Sequence, residues 1–512
     1  MRSAVGDLLV TVVVSTYLAA SVCATKILLV PGNLDSHVIL FSRLGVELAK
    51  LGDVVTVIAP SSTRIPDFVA DDIENFTYLS YPVDKSAWFA NKTETLIARA
   101  MISSSPIQVM RMFAEGTAAV TRVGEQNCIR LLDNAKIMPK IRTAGYDFAI
   151  MDMYGAIACY YTIPYSLGIP YATLSLVISS ASIFRVPRLA SFPNMASLSD
   201  RTSFLDRLTT FIIDMMDHGI IRDNRYYMEK YVPNRPYIDT VEIFRQQSLW
   251  FFLEDLSVQY PLPQMPNTIA VGDLITATTV RPLSGDIKDF ISRSKHGVII
   301  VSFGSIWSDA LPPAIIRRLC ETLSEATNRF RVSVVWQLNA EASCPNESIL
   351  ILPWIPQNDL LADSRVKLFI SHGGFNSVME SVYHAKPLLI LPIGADQPAN
   401  AAAAVSKGFA IQMKILDFSV ESLTLNIGKL LTEPSYKRRV ELASAIMRDR
   451  RDTAAQRVSF MIDHVVKYGD RHLCTGAFEL STFQFMMFDI FAVLVAAAVL
   501  VLFMVTLLCY CV

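Results

Sequence analysis

The chain has 512 residues, of which 52% are hydrophobic and 18% are charged, and its formal net charge is -1. This length exceeds what one hydrophobic core supports and predicts two or three domains. The composition excludes an intrinsically disordered chain. No run rich in lysine and arginine stands out in the sequence, which argues against a nucleic-acid partner.

The N-terminus carries the pattern of a secretory signal. Arg2 precedes an apolar run over residues 8–20, and small residues suited to cleavage occupy positions 22–24. These features predict a signal peptide over residues 1–24 that is cleaved after Ala24. A retained membrane anchor is the alternative interpretation.

Short apolar strands then alternate with amphipathic helices. A strand over residues 26–30, a helix over 38–51 and a strand over 54–59 predict a parallel βαβ unit, and a further strand is expected at 146–151. The region 200–266 shows few strand signals and is expected to hold helices and the segment that crosses to the second half.

A second series of predicted strands begins near Gly297. The domain boundary is therefore expected near residues 275–295, between two α/β halves that face a cleft. The strands of this series are predicted at residues 298–303, 332–336, 367–371 and 387–391.

The C-terminus is apolar, with no charged residue from Ile490 to Val512. That length crosses a bilayer as a helix, whereas core helices, the alternative, rarely continue so long without a polar residue. Together with the signal, this predicts a single-pass type I membrane protein with a luminal body. A juxtamembrane segment over residues 466–488 would lead to a transmembrane helix over residues 489–512.

Several common motifs are absent from the sequence. It contains no G-x-G-x-x-G dinucleotide fingerprint and no G-K-[ST] phosphate loop. It contains neither H-E-x-x-H nor C-x-x-C, so no zinc site is expected. The His372-Gly373-Gly374 run is similar to a lipase oxyanion loop, but the G-x-S-x-G nucleophile elbow of such hydrolases is missing.

A chain that enters the secretory pathway can be glycosylated and can form disulfides. Sequons predict glycosylation at Asn75, Asn91 and Asn346. The odd number of body cysteines, without a repeated spacing, predicts one or two disulfides at most, and the pairing stays open. The five body cysteines are Cys128, Cys159, Cys320, Cys344 and Cys474.

One long segment, residues 354–400, has a distinctive order of residues. It reads Trp354-Ile-Pro-Gln357-Asn358-Asp359, then Ser371-His372-Gly373-Gly374-Phe375-Asn376-Ser377-Val-Met-Glu380, then Asp396-Gln397-Pro398-Ala-Asn400. In order and spacing it resembles the signature of the UDP-glucuronosyltransferase and UDP-glycosyltransferase family, in its animal, membrane-anchored form. The resemblance extends along the whole chain.

The resemblance implies an α/β fold of the GT-B type, with two Rossmann-like domains facing a cleft and a C-terminal transmembrane helix. Residues 25–285 would form the acceptor-binding domain and residues 286–465 the UDP-sugar-binding domain. The body would act in the endoplasmic reticulum, in detoxification, with a homo-oligomer as one possible state.

The donor site is expected where residues 372–374 turn from a strand into a helix. Glycines let the backbone approach a ligand closely, and a helix N-terminus suits a diphosphate. A capping box from Ser377 to Glu380 is the alternative for that pair. The resemblance assigns ten residues to the UDP-sugar: Ser305, Trp354, Gln357, His372, Gly374, Asn376, Ser377, Glu380, Asp396 and Gln397.

Each donor contact has a chemical reason. Trp354 would stack on uracil, with Gln357 on the base or ribose. Glu380 would accept from the ribose hydroxyls, and Asp396 with Gln397 would bind hydroxyls of the transferred sugar. Considered without the resemblance, Trp354 would also fit a position in the hydrophobic core. Asp396 and Gln397 would likewise fit an ordinary polar loop.

A catalytic pair is expected in the first half. His37 begins a helix seven residues after the first strand, and Asp152 follows the strand at 146–151. An acceptor hydroxyl must lose its proton as it attacks the anomeric carbon, and a histidine with a pKa of about 6.5 can take it while a carboxylate stabilises the imidazolium. The resemblance implies that His37 is the general base, oriented by Asp152; a structural histidine is the alternative.

The implied reaction is an inverting, metal-independent transfer of a sugar from a UDP-sugar to the hydroxyl of a small lipophilic acceptor. Glucuronic acid is the favoured sugar and glucose the other option. UDP-sugar is a co-substrate, and no cofactor is expected. A non-catalytic relative that binds a UDP-sugar or a lipophile is the alternative function.

The chain departs from the family pattern at two places before the second half. Leu253-Glu254-Asp255 stands where the family often shows arginine or asparagine, and Asp273 stands near Gly272 where a second glycine is common. These departures concern donor choice and contacts between the domains rather than the class of reaction.

Overall fold

Two parallel β-sheets organise the chain in the computed structural model. The first sheet is built from the N-terminal half and the second from the C-terminal half. The residues that the structure describes are 24–32, 35–61, 69, 73–83, 121–153, 157–175, 203–205, 207–208, 223–261, 264–276, 280–304, 311–338, 344–394 and 396–511.

The first sheet has seven strands in the order β3-β2-β1-β4-β5-β6-β7. Its pairs are parallel, and at the centre Leu29 lies opposite both Val57 and Ile150. The strands are β1 (Lys26–Val30), β2 (Val54–Pro60), β3 (Phe76–Tyr81), β4 (Phe148–Asp152), β5 (Tyr171–Ser175), β6 (Leu249–Phe252) and β7 (Thr268–Ala270).

Helix α1 (Asp35–Lys50) follows β1 directly. Its residues Val38, Phe41, Leu44 and Leu48 recur at helical spacing and are almost fully buried, so this face packs on the sheet. The helix begins three residues before the predicted start, which places His37 in its first turn. The other helices described in this half are a segment at 121–132, α2 (Met138–Thr143), α3 (Ile157–Tyr160), α4 (Thr162–Leu167), α5 (Arg225–Tyr231) and α6 (Thr240–Arg245).

The second sheet has six strands in the order β10-β9-β8-β11-β12-β13. All of its described pairs are parallel. The strands are β8 (Val298–Ser302), β9 (Ser333–Gln337), β10 (Ile349–Leu352), β11 (Val366–Ser371), β12 (Leu388–Ile390) and β13 (Ala410–Gln412).

Helices surround this second sheet and continue to the C-terminus. One cluster of buried apolar side chains draws on both halves and includes Leu29 and Ile300. The helices are α7 (Gly285–Ser292), α8 (Pro313–Phe330), α9 (Gln357–Ala362), α10 (Phe375–Tyr383), α11 (Gln397–Ser406), α12 (Val420–Thr432), α13 (Pro434–Arg448), α14 (Ala454–Tyr468), α15 (Thr482–Phe485) and α16 (Phe488–Cys511).

The expectation that residues 200–266 hold helices and a crossing segment left out β6, which lies within them. Its four residues, Leu-Trp-Phe-Phe, are all buried between β5 and β7. An apolar run of this length has no periodicity that distinguishes a strand from a buried helix. Its pairing with β5 and β7 shows that it is a strand. The sequence-based prediction also omitted the strands β3, β5, β7 and β13.

Helix α14 returns from the second half and packs on the first. It contacts α1, β7 and the turn at Gly272–Leu274. Asp273 in that turn binds Arg450 at 3.2 Å and also pairs with Arg457, while Asp255 pairs with Arg450. Asp255 and Asp273, which depart from the family pattern, thus form the ion pairs that attach α14 and the residues just before it to the first half. The division of the chain into domains stays a prediction.

Two disulfides cross-link the body, in line with the expected maximum. Cys128 pairs with Cys159, which ties the helix at 121–132 to α3, and Cys320 pairs with Cys344, which ties α8 to the segment before β10. Cys474 is free.

Helix α16 is long and apolar enough to cross a membrane, and its window from Phe488 to Tyr510 is not buried against the body. This confirms the predicted C-terminal apolar helix as a candidate membrane span. Residues 1–23, which are all but the last residue of the predicted signal peptide, lie outside the described residues.

Candidate active site

His37 and Asp152 meet at the carboxyl-terminal edge of the first sheet. His37 lies in the first turn of α1, which follows β1, and Asp152 is the last residue of the adjacent strand β4. The His37 Nδ1 atom is 2.6 Å from Asp152 Oδ2, and the Gly32 N–H donates to the same oxygen at 2.7 Å. The Asp152 carboxylate is therefore held by two contacts, and it orients the imidazole by binding Nδ1 rather than Nε2.

The environment of His37 favours its protonated form. Burial by itself lowers the pKa of His37, but the charge of Asp152, the hydrogen bond to it and the charge of Asp396 together raise the pKa above its usual 6.5. Asp396 belongs to the second half. The two halves thus bring the expected base and an expected sugar-binding carboxylate within electrostatic reach of each other.

The turn that follows β11 has the expected form. Gly374 is the N-cap of α10 and has no side-chain hydrogen bond to cap the helix, while the backbone of Phe375, the first residue of the helix, hydrogen-bonds to Asp396. Ser377 is the third residue of the helix and not its cap, which excludes the alternative of a capping box from Ser377 to Glu380. Asn376 is half-buried in the same first turn.

His372 is buried beneath this turn. Burial lowers the pKa of His372 to about 4, against a smaller opposing effect of the Ser302 backbone, so the ring is neutral at physiological pH. A Cβ atom at Gly374 would lie 2.6 Å from His372 Nε2, and one at Gly304 would lie 3.2 Å from its Cε1. Glycine at both positions is what lets the backbone approach the ring so closely.

Gln357 and Glu380 form one side of the expected nucleoside site. Gln357 Nε2 donates to Glu380 Oε2 at 2.7 Å and to Ser377 Oγ at 3.3 Å. Burial raises the pKa of Glu380, while Gln357 and the charge of Arg43 lower it. Arg43 comes from α1 of the first half, where it also donates to the Leu274 carbonyl at 3.5 Å.

Asp396 and Gln397 begin helix α11 after β12. Asp396 Oδ2 accepts from Asn400 Nδ2 at 2.7 Å, and burial raises the pKa of Asp396. Gln397 Oε1 accepts from the backbone N–H groups of Ile393 and Gly394, at 2.7 and 3.0 Å. The Gln397 oxygen therefore holds the loop between β12 and α11 in place.

Trp354 is 66% exposed in the loop between β10 and α9, which fits a stacking platform better than a core tryptophan. Ser305 and Asn91 lie outside the residues that the structure describes. Asn75 is exposed before β3. Asn346 Nδ2 donates to Thr327 Oγ1 at 3.0 Å.

Sequence reasoning missed three contributors to this site. Asn400 donates to both Asp396 and the Gly373 carbonyl, Arg43 places a charge near Glu380, and Gly32 supports Asp152. Asn400 is part of the signature segment, but the sequence analysis assigned it no role. Its position four residues after Asp396 on a helix could have predicted their contact. Within the described residues, no group of three or more His, Cys, Asp or Glu side chains is arranged to hold a metal.

Two parallel α/β sheets, one from each half of the chain, form the GT-B fold. Solved structures agree on the fold. "Glycosyltransferase VinC in complex with DTDP" matches with a TM-score of 0.58 and 14% identity, over 87% of this chain and 100% of that one. "Phytolacca americana UGT2 complexed with UDP-2fluoro-glucose and pterostilbene" matches with a TM-score of 0.55, 14% identity, 87% of this chain and 99% of that one.

The chain belongs to the UDP-glucoronosyl and UDP-glucosyl transferase family, whose sequence model matches residues 25–512. It is 25% identical to the 2-hydroxyacylsphingosine 1-beta-galactosyltransferase of Mus musculus, over 94% of this chain and 87% of that protein. It is 27% identical to the UDP-glucuronosyltransferase 2A2 of Homo sapiens, over 90% of this chain and 87% of that protein. The chain is thus a UDP-glycosyltransferase, which transfers a sugar from a UDP-sugar.

Proposed function

We propose that this chain transfers a sugar, with inversion, from a UDP-sugar to the hydroxyl of a small lipophilic acceptor, and that His37 is the general base. The observation that carries this proposal is the 2.6 Å contact between His37 Nδ1 and Asp152. Because Nδ1 binds the carboxylate, Nε2 is the ring nitrogen that we assign to accept the proton of the acceptor hydroxyl.

The proposed step is a single displacement. The acceptor oxygen forms a bond to the anomeric carbon as its proton passes to His37 Nε2. The bond from that carbon to the UDP oxygen breaks on the opposite face, and its electron pair leaves with UDP, which inverts the anomeric centre. Asp152 stabilises the imidazolium, and the N-terminus of α10 stabilises the charge that develops on the leaving diphosphate. No step in this scheme requires a metal ion.

The proposed donor contacts follow from the positions of the polar groups. Trp354 stacks on the uracil, and Glu380, held by Gln357, accepts from the ribose hydroxyls. Asp396, whose charge acts on His37, accepts from hydroxyls of the transferred sugar next to the base. Glucuronic acid is the proposed sugar, and because one relative is named a galactosyltransferase, galactose joins glucose as a competing donor.

The proposed location is the endoplasmic-reticulum lumen, with the body held by α16 as a type I membrane protein after removal of residues 1–24. The apolar length of α16 supports the anchor. The cysteine pairs Cys128–Cys159 and Cys320–Cys344 support an oxidising compartment. Glycosylation at Asn75, Asn91 and Asn346 is part of the same proposal.

The test is release of UDP by the full-length chain in microsomes, with a panel of phenols as acceptors. UDP-glucuronate, UDP-glucose and UDP-galactose are compared for the wild type, His37→Ala and His296→Ala, an exposed histidine that serves as the matched control. We expect acceptor-dependent release that survives a metal chelator and is lost only in His37→Ala. Equal turnover in the wild type and His37→Ala would refute the base assignment, and UDP binding without turnover on any acceptor would favour a non-catalytic relative.

A further inference from the structure

Thr25 is the first buried residue of the body. Only 6% of its surface is exposed, whereas the preceding Ala24 is exposed. The family model also begins its match at residue 25. The point at which the chain enters the folded body therefore coincides with the predicted cleavage after Ala24.

Two carboxylates surround Thr25. Its Oγ1 donates to Asp463 Oδ1 at 2.6 Å. The Thr25 carbonyl accepts from the Val54 N–H at 2.9 Å, and Lys26 lies opposite Val54 in the β1–β2 ladder. Continuing that parallel register by one residue places Thr25 beside Asp53.

Asp53 and Asp463 face each other across the contact between the halves. Ser459, one turn before Asp463 on α14, donates to Asp53 Oδ2 at 2.9 Å. Burial raises the pKa of Asp53 to about 6, and the charge of Asp463 adds to that effect. Among the residues that the structure describes, neither the buried Asp53 nor the half-buried Asp463 has a lysine, arginine or histidine partner, so the two carboxylates lack a compensating cation.

We propose that removal of residues 1–24 converts the Thr25 nitrogen into an ammonium ion that pairs with Asp53 and Asp463, and that this pairing fixes α14 against the first sheet. Hydrolysis adds one water across the Ala24–Thr25 bond, so the Ala24 carbonyl becomes a carboxylate and the Thr25 nitrogen becomes an ammonium. The new charge arises at the atom whose N–H already interacts with Asp53.

This pairing has a consequence for assembly of the body. Helix α14 leads into the juxtamembrane segment and α16, so it is the element through which the membrane anchor meets the first sheet. Until the leader is removed, the negative charges of the buried Asp53 and the half-buried Asp463 repel each other at that contact. Processing therefore strengthens the attachment of the anchor-bearing segment to the first half. The inference depends on the proposed cleavage of the leader and not on the proposed sugar transfer.

The test uses the full-length chain, expressed through the secretory pathway and purified in detergent. The mass of its N-terminal peptide identifies the first residue, and a short pulse of an amine-acylating reagent at neutral pH measures the reactivity of the α-amine. We expect the mature chain to begin at Thr25. We expect its α-amine to react about tenfold more slowly than in Asp53→Asn or Asp463→Asn, because one unit of raised pKa removes nine-tenths of the free amine.

Asp147→Asn is the matched control. Asp147 accepts the next backbone N–H, that of Lys26, at 2.8 Å, and this nitrogen stays a peptide nitrogen after cleavage, so the variant should label like the wild type. If the aspartate variants do not fold, one alanine inserted before Thr25 moves the ammonium away from intact carboxylates and should speed labelling. A mature chain that begins elsewhere, a retained leader, or equally fast labelling in the wild type and a folded test variant would overturn the proposal.

Discussion

His37 and Asp152 are 115 positions apart in the chain and 2.6 Å apart in the fold. The contact forms because β1 and β4 are neighbours in a parallel sheet, so that the helix after β1 and the last residue of β4 lie at the same edge. The same oxygen of Asp152 accepts from Gly32, which leaves the carboxylate little freedom to turn. Orientation and charge at His37 therefore both depend on Asp152.

The Asp152→Asn variant should lose about 10²- to 10⁴-fold in kcat, the usual contribution of positioned acid–base catalysis. The amide has no charge to stabilise the imidazolium, and its NH2 group can present a donor to His37 Nδ1, which selects the wrong tautomer. Initial rates of UDP release measure the effect, with Asp147→Asn as the control. Rates within about twofold of the wild type would show that the carboxylate is not needed for the reaction.

The pH profile of kcat/KM should show an acidic limb above pH 6.5. Only neutral His37 accepts a proton, and since Asp152 and Asp396 raise its pKa above 6.5, activity falls as pH decreases through that raised value. In Asp152→Asn the burial that lowers the pKa remains while the largest raising effect is gone, so the limb should move to lower pH. Rates from about pH 5 to about pH 9 give both curves. An unmoved limb in the variant would mean that another group controls the profile.

The Gly374→Ala variant should raise the KM for the UDP-sugar about tenfold and lower stability by about 1–3 kcal/mol, the usual cost of overpacking. Its Cβ would stand 2.6 Å from His372 Nε2 and displace the ring under the glycine turn. The control is Gly476→Ala, where no atom lies within 4 Å of the added Cβ. Thermal unfolding and donor KM are measured for both variants; a Gly374→Ala protein as good as the control would contradict the packing described here.

The Asp273→Ala variant should destabilise the protein by about 3–5 kcal/mol, because it leaves two partly buried guanidinium groups without this partner. Asp273 binds Arg450 and Arg457 and accepts from the Ala454 N–H at 2.8 Å. Asp452→Ala, which removes a half-exposed partner of Arg457, should cost about 1 kcal/mol or less. Denaturant unfolding compares them, and equal losses would mean that Asp273 does not hold α14.

Part of the candidate site could be predicted from the order of neighbouring residues in the sequence. The turn at residues 372–374 and the strand before it follow from a buried run that ends in glycines, and the structure has both. The roles of the ten donor residues stay predictions, although Gln357, Ser377 and Glu380 do come together. Asn400 and Arg43 could not be assigned from the sequence, since their importance lies in groups that other elements bring to them.

The local pattern of apolar residues predicted the α/β class, the two series of strands and the apolar C-terminal helix. It could do so because the spacing of apolar residues and the length of an apolar run can be read from consecutive residues. It could not assign β6, the partner of each cysteine, or the attachment of α14 to the first sheet. Those features depend on pairs such as Asp255 with Arg450, which are 195 positions apart. Only the packed chain brings such groups together, and burial then raises or lowers their pKa values, as it does for Asp53 and His372.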